Sequence, residues 1–113
     1  MSEWLDVLEL KKMLRALADE VRLNIVHHLA GLGEVNVTEI CQALNISQPL
    51  VSWHLTMLRR AGLVRRRRRG RQAYCSLDRA RFQHCQEWLA SLVKPNGAAE
   101  PAPLELQGEP VQS

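Results

Sequence analysis

Thr38-Glu39-Ile40-Cys41-Gln42-Ala43-Leu44, then Asn45-Ile46-Ser47, then Gln48-Pro49-Leu50-Val51-Ser52-Trp53-His54-Leu55-Thr56-Met57-Leu58-Arg59-Arg60-Ala61-Gly62 is the stretch that decides the fold. It reads as a short helix over 39–44, a three-residue turn and a longer helix over 48–61. Thr38 is the expected N-cap of the short helix, and Ser47 of the long one. Pro49 falls in the first turn of the long helix, where a missing N–H costs nothing. Val51, His54, Leu55 and Leu58 recur at three- and four-residue steps and form its inward stripe. Arg59 and Arg60 suit the negative end of the helix dipole, and Gly62 suits the left-handed residue that ends the helix. His54, on the buried stripe, is expected to be a hydrogen-bonded packing residue.

Upstream, Trp4 to Ala18 reads as a first helix with Val7, Leu10, Leu14 and Leu17 on one face. Asp19 caps a second helix over 20–30, whose face is Val21, Ile25, Leu29 and Leu32. Val35-Asn36-Val37 is a turn or a brief strand. Downstream, Leu63–Arg68 and Gln72–Leu77 read as two strands joined near Arg69-Gly70. Asp78 then caps a last helix to Val93, with Phe82, Cys85, Leu89 and Leu92 on its stripe. The fold class is therefore mainly α: a winged helix-turn-helix of about five helices plus a two-stranded β-hairpin wing. The domain runs over 1–94. Four of the five prolines lie in 95–113, which has few large aliphatic residues and reads as a disordered tail.

Charge points to the partner. Residues 59–81 hold ten arginines and one acid, Asp78, although the whole chain of 113 residues is only +3. A block of that density addresses a polyanion, most often nucleic acid. In the long helix, Gln48, Ser52 and Thr56 are small polar groups at the exposed end, able to approach and hydrogen-bond base edges. Ser47 and Pro49 stand at the entry to that end. Trp53 shares the face, either against a thymine methyl or sugar or as a roof on the neighbouring helix. In the hairpin, strand alternation sends Arg65, Arg67 and Arg69 to one face and Arg66 and Arg68 to the other. The candidate DNA contacts are thus Ser47, Gln48, Pro49, Ser52, Trp53, Thr56, Arg66, Arg67, Arg68, Arg69 and Arg71, with double-stranded DNA as the partner. Six to ten phosphate contacts per dimer would cost about 10³–10⁵-fold in affinity between 50 and 200 mM salt.

Other classes find less support. No paired carboxylates, Ser/His/Asp set or glycine-rich phosphate loop stands out, so no enzyme is expected. The alternative is a winged-helix protein-interaction module without operator-specific DNA binding, docking through Trp53 or the tail. No run of 18 or more apolar residues is present, the N-terminus lacks the pattern of a secretory signal, and the three cysteines form no C-x-x-C. A cytoplasmic protein is expected, with no membrane partner.

Three stretches together resemble the ArsR/SmtB bacterial repressors: Ala16 to Val26, Ile46 to Leu55, and Leu58-Arg59-Arg60-Ala61-Gly62-Leu63-Val64. The likeness is collinear from about residue 10 to 90. It implies a winged-helix homodimer formed through the first and last helices, bound to an imperfect palindrome and released by an effector. It also implies that Ser47, Gln48, Ser52 and Trp53 face bases while the wing arginines grip the backbone or minor groove.

The family's effector sites are not reproduced in these residues. Where one metal site has Cys-Val-Cys, this chain has Asn36-Val37-Thr38. Where another has Asp-x-His early in the last helix, it has Arg79 and Arg81, with Leu92 and Pro95 in the later turns. The remaining metal candidates are Cys41, Cys75, His84 and Cys85, for a transition-metal or thiophilic effector. Buried cysteines are also common simply as small hydrophobes.

Overall fold

The computed structural model describes residues 6–95. The tail expectation and the Trp4 start of the first helix lie outside those residues.

The element order is α1 (Val7–Leu17), α2 (Glu20–Ala30), β1 (Val35–Asn36), α3 (Val37–Leu44), α4 (Gln48–Arg60), β2 (Val64–Arg69), β3 (Gln72–Leu77) and α5 (Arg79–Leu92). Side-chain caps start most of the helices. Asp6 accepts from the Glu9 amide, Asp19 from Arg22 and Asp78 from Arg81, each satisfying an N–H left without a helical partner. The third helix departs from expectation. It begins at Val37 and is capped by Asn36, whose side chain accepts from the Glu39 amide while the Glu39 carboxylate accepts from the Asn36 amide. This reciprocal pair satisfies two amides at once, which Thr38 as cap would not. Asn45 then takes the left-handed conformation, φ 57°, to end α3.

The sheet is antiparallel, in the order β1-β3-β2, so the expected two-stranded hairpin has a third, two-residue strand on its edge. Val35 pairs with Cys75 and Asn36 with Tyr74, pairings between positions far apart in sequence. Arg69 pairs with Gln72, leaving Gly70 and Arg71 as a two-residue turn with Gly70 at positive φ.

The core sits where all helices meet the base of the wing: Leu10, Met13, Ile25, Leu29, Ile40, Val51, Leu55, Leu58, Leu63, Val64, Cys75 and Cys85. The α4 stripe of Val51, His54, Leu55 and Leu58 is buried as its spacing requires. The α1 stripe is not. Leu10, Met13 and Ala16 enter the core, whereas Val7 and Leu14 are exposed. The helix has two apolar sides, and the sequence reading joined residues of both into one. Similarly, on α5 only Cys85 is fully buried, with Phe82 and Trp88 packed at its margin; Leu89 and Leu92 stand open. Leu32, expected on the inner face of α2, lies beyond its end and is exposed.

Gly62 closes α4 at φ +80°, and a Cβ there would sit 2.9 Å from the Arg81 Nε. Gly31 ends α2 at φ −85° with open space around it. Gly62→Ala is therefore expected to cost about 1–2 kcal/mol, a melting-temperature loss of roughly 5–15 °C. Gly31→Ala should leave the transition unchanged or raise it. Thermal unfolding of the two variants checks the contrast, and equal losses would remove the argument from the α4 terminus.

Candidate nucleic-acid interface

The recognition helix, α4, is held from its inner side. His54 is buried, 7% exposed, and its Nδ1 lies 3.0 Å from the Arg22 Nη1. Arginine can only donate, so Nδ1 accepts and the ring proton sits on Nε2. Arg22 also donates from Nε to the Ala16 carbonyl at 2.6 Å, tying the end of α1 to α4 through the first turn of α2. Asp19 completes this group, with Oδ2 3.7 Å from the same His54 nitrogen. Its carboxyl is held below the usual range, chiefly by the Arg22 amide it caps. At the other end of α4, Arg81 of α5 lies 3.5 Å from the Ala61 carbonyl and 3.4 Å from a Glu9 carboxylate oxygen of α1. These are long contacts, and among the described residues Glu9 Oε1 and Arg81 Nε have no hydrogen-bond partner.

With one side fixed, α4 turns Ser47, Gln48, Pro49, Ser52 and Trp53 to the outside. Ser47 occupies the N-cap position but makes no side-chain cap bond, so its hydroxyl is not spent on the helix end. Thr56 is half-buried and donates its hydroxyl to the Ser52 carbonyl at 2.9 Å, leaving only acceptor capacity. Trp53 is 54% exposed, so about half of its side chain is open to a partner.

The wing arginines divide by parity, as strand alternation requires, and their surroundings differ sharply. Arg66 pairs across the sheet with buried Cys75, so its face is the inner one. Together with Arg68 and Arg71 it lines a cleft of about 170 Å³ shared with Thr38, Gln48, Ser52 and Gln72. A neighbouring cavity of about 130 Å³ brings Arg66 beside Arg59, Ser52 and Thr56 over a floor of Leu55, Val64 and Cys75. Arg59 thereby joins the polar end of α4, although its last-turn position had suggested only a dipole role. On the opposite face, Arg65 donates to Asp78 at 3.2 Å. Arg67 grips Glu34 with two bonds of 2.8 Å, and Arg69 lies over the Tyr74 ring at 5.2 Å. The structure thus gathers Gln48, Ser52, Thr56, Arg66, Arg68 and Arg71 on one surface and sets Arg67 and Arg69 apart from it.

The metal candidates are not gathered. Cys41 is on α3, Cys75 on β3, and His84 and Cys85 on α5. Among the described residues, no three His, Cys, Asp or Glu side chains are grouped so as to hold an ion. Burial pushes the Cys75 and Cys85 thiols above their ordinary range, which disfavours the thiolate that metals and electrophiles require. His84 is exposed and leans on Trp88, ring centroids 5.8 Å apart. Among the described residues, no helix is long and apolar enough to cross a membrane.

Comparison with known proteins agrees with this geometry. Residues 19–66 match the model of the bacterial regulatory proteins of the arsR family. The chain is 39% identical over 82 residues to the arsenical resistance operon repressor of Escherichia coli, covering 73% of this chain and 67% of that one. It is 35% identical to the arsenic resistance transcriptional regulator ArsR1 of Pseudomonas putida, covering 71% of this chain but only 59% of that relative. Among solved structures, HlyU from Vibrio cholerae superposes with a TM-score of 0.62 at 31% identity, over 77% of this chain and 94% of that one. So does a homodimeric winged helix-turn-helix DNA-binding domain from Mycobacterium bovis, a possible ArsR-family regulator, at 0.62 and 29% identity over 77% and 78% of the two chains. Sequence, fold and surface agree: the chain belongs to the arsR family of bacterial regulatory proteins, and its helix-turn-helix and wing are those of a DNA-binding transcriptional regulator.

Proposed function

We propose that the chain is a homodimeric, cytoplasmic repressor that binds a palindromic operator through α4 and the wing and is released by an effector. The observation that carries this reading is the shared surface of α4 and the inner face of the wing. Small polar side chains able to read bases lie beside guanidiniums able to hold phosphates, with no acid among the described residues that line the cleft. In this reading Gln48, Ser52 and Ser47 read base edges, Pro49 and Trp53 give apolar contact to thymine methyls or sugars, and Arg66, Arg68 and Arg71 hold the backbone. It is the reading of a regulator rather than an enzyme.

The dimer is supported by the apolar side chains that α1 and α5 leave uncovered. Val7, Leu8 and Leu14 on α1 and Leu89, Leu92 and Val93 at the end of α5 are exposed, Leu8 by 66% and Leu92 by 52%, on helices that pack against each other. Grouped apolar surface of this kind marks an association site. Two copies sharing a two-fold axis would present two α4 helices to a palindrome. Leu89→Glu is therefore expected to give a folded monomer in sedimentation velocity and to lose operator affinity. A variant that remains dimeric would move the interface elsewhere.

The effector is a metal ion, a thiol-directed oxidant or a small molecule; the arsenic-named relatives favour a thiophilic ion for the first test, and its ligands would then be drawn from more than one protomer, since no three metal-ligating side chains are grouped among the described residues. Adding such ions to the reduced protein on a fluorescent promoter duplex should lower its anisotropy to the free value. Retention of the complex with every ion tested would shift the search to an oxidant or an organic inducer.

The same assay tests the DNA surface. Arg66→Ala with Arg68→Ala should flatten the log affinity against log salt slope by up to about 1.8 per protomer, at roughly 0.9 per phosphate contact. Gln48→Ala with Ser52→Ala should instead narrow the gap between operator and random duplex. Unchanged slopes and an unchanged gap would remove this surface from the interface.

A further inference from the structure

The outer face of the wing shows a contact that sequence alternation alone does not explain. Glu34 stands one residue before the Val35–Cys75 pair, on the same side of the sheet as Asn36, Tyr74 and Arg67. Strands in a sheet are about 4.8 Å apart, so an extended Glu and an extended Arg can meet across the intervening strand β3. They do: Arg67 Nε lies 2.8 Å from Oε2 and Arg67 Nη2 2.8 Å from Oε1, a two-bonded fork. Arg69 Nη2 is 3.6 Å from the same Oε1. The Arg67 hydrogen bond holds the Glu34 carboxyl below the ordinary carboxylate range, so it stays charged at neutral and mildly acidic pH.

The geometry of this fork is the one a guanidinium offers to a phosphate. The pair is open to solvent, with Arg67 57% and Glu34 30% exposed, so it contributes little to stability. Its larger effect is on which arginines are free. When α4 docks on matching bases, the orientation of the domain is set, and the backbone meets the inner face with Arg66, Arg68 and Arg71. A duplex without matching bases imposes no such orientation, and any free guanidinium then adds to affinity.

We propose that Glu34 is a specificity-determining residue, a resident carboxylate that withholds Arg67 and Arg69 from phosphates and so suppresses binding to non-operator DNA. The inference rests on the reading of α4 and the inner wing face as the DNA surface. It assigns Arg67 and Arg69 a different part from Arg66, Arg68 and Arg71.

The test compares the wild-type protein with Glu34→Gln on a random duplex, on heparin and on the promoter duplex, over a range of salt. In the variant, random-duplex affinity should rise roughly five-fold for each phosphate contact recovered at 0.15 M salt, and the salt slope should steepen by about 1 to 2 per protomer. Heparin elution should move to higher salt, while promoter affinity stays within about two-fold. Adding Arg67→Gln to the variant should return the random-duplex slope toward the wild-type value. Equal slopes for wild type and Glu34→Gln would overturn the proposal, as would an equal gain on promoter and random duplexes. A lowered melting temperature with unchanged slopes would also overturn it, and would make Glu34 a strut between loop and wing. If the wild-type protein binds no duplex in a salt-dependent way, the DNA-surface reading itself falls, and that result appears before any variant is made.

Discussion

The position of α4 depends on Arg22. Its Nε reaches the Ala16 carbonyl at 2.6 Å and its Nη1 the His54 imidazole at 3.0 Å, so one side chain joins the end of α1, the start of α2 and the buried side of the recognition helix. A guanidinium suits this task because its donors diverge in a rigid plane and it needs no acceptor capacity in return. An apolar residue in place of His54 would leave the Arg22 donor unmatched beside the core, and a lysine in place of Arg22 could not serve both acceptors in one plane. Asp19 neutralises the cluster while capping α2. The buried stripe fixes which side of α4 faces the core and so leaves Gln48, Ser52 and Trp53 outside. The Arg22–His54 bond ties that inner side to the end of α1 and the start of α2.

The same economy of arginines governs the wing. Five consecutive arginines on a hairpin repel one another, and alternation only halves that repulsion on each face. The outer face is relieved by Glu34, Asp78 and the Tyr74 ring, each contributed by a neighbouring element. The inner face has no such acid among the residues that line its cleft. The imbalance is what makes the inner face a site for an external anion: its charges are gathered, and nothing within the described chain neutralises them. It also explains why net charge was a blunt guide. Only part of the block over 59–81 is available to a partner, because Asp78 within it and Glu34, remote in sequence but adjacent in space, pair with Arg65, Arg67 and Arg69.

Much of the frame was legible from residue types with one dominant physical role. Asp19 and Asp78 before periodic apolar runs read as caps and are caps; Gly62 after Arg60 and Ala61 reads as a left-handed stop and is one. The α4 stripe was readable because all four of its members serve one core. The α1 stripe was misread because that helix serves two surfaces, its own core through Leu10, Met13 and Ala16 and the open side through Val7, Leu8 and Leu14; periodicity records apolarity, not destination. Asn36 and Glu39 carried a capping-box spacing, yet Thr38 stood closer to the apolar run and drew the assignment. The strand β1 was legible only as one of two alternatives, a turn or a brief strand over 35–37. Two residues are too few for a pattern, and it exists only because β3 offers an edge to it. Among the site residues, Gln48 and Ser52 were legible from type and position, whereas the part of Arg59 and the division of the wing arginines needed the sheet register and the place of Glu34.

Arg81 links these surfaces. It rises from the first turn of α5, lies close to Gly62 and the Ala61 carbonyl at the end of α4, and faces Glu9 on α1. The two helices it touches besides α4 are those with the uncovered apolar side chains. Its contacts are long, and among the described residues its Nε and one Glu9 oxygen have no hydrogen-bond partner. The contact with Glu9 is a half-open ion pair, 31% and 30% exposed on its two sides, and adds little to stability by itself. Its larger part is steric: with the guanidinium held at the end of α4, the residue at 62 must both adopt a positive φ and lack a Cβ, so glycine is required there twice over.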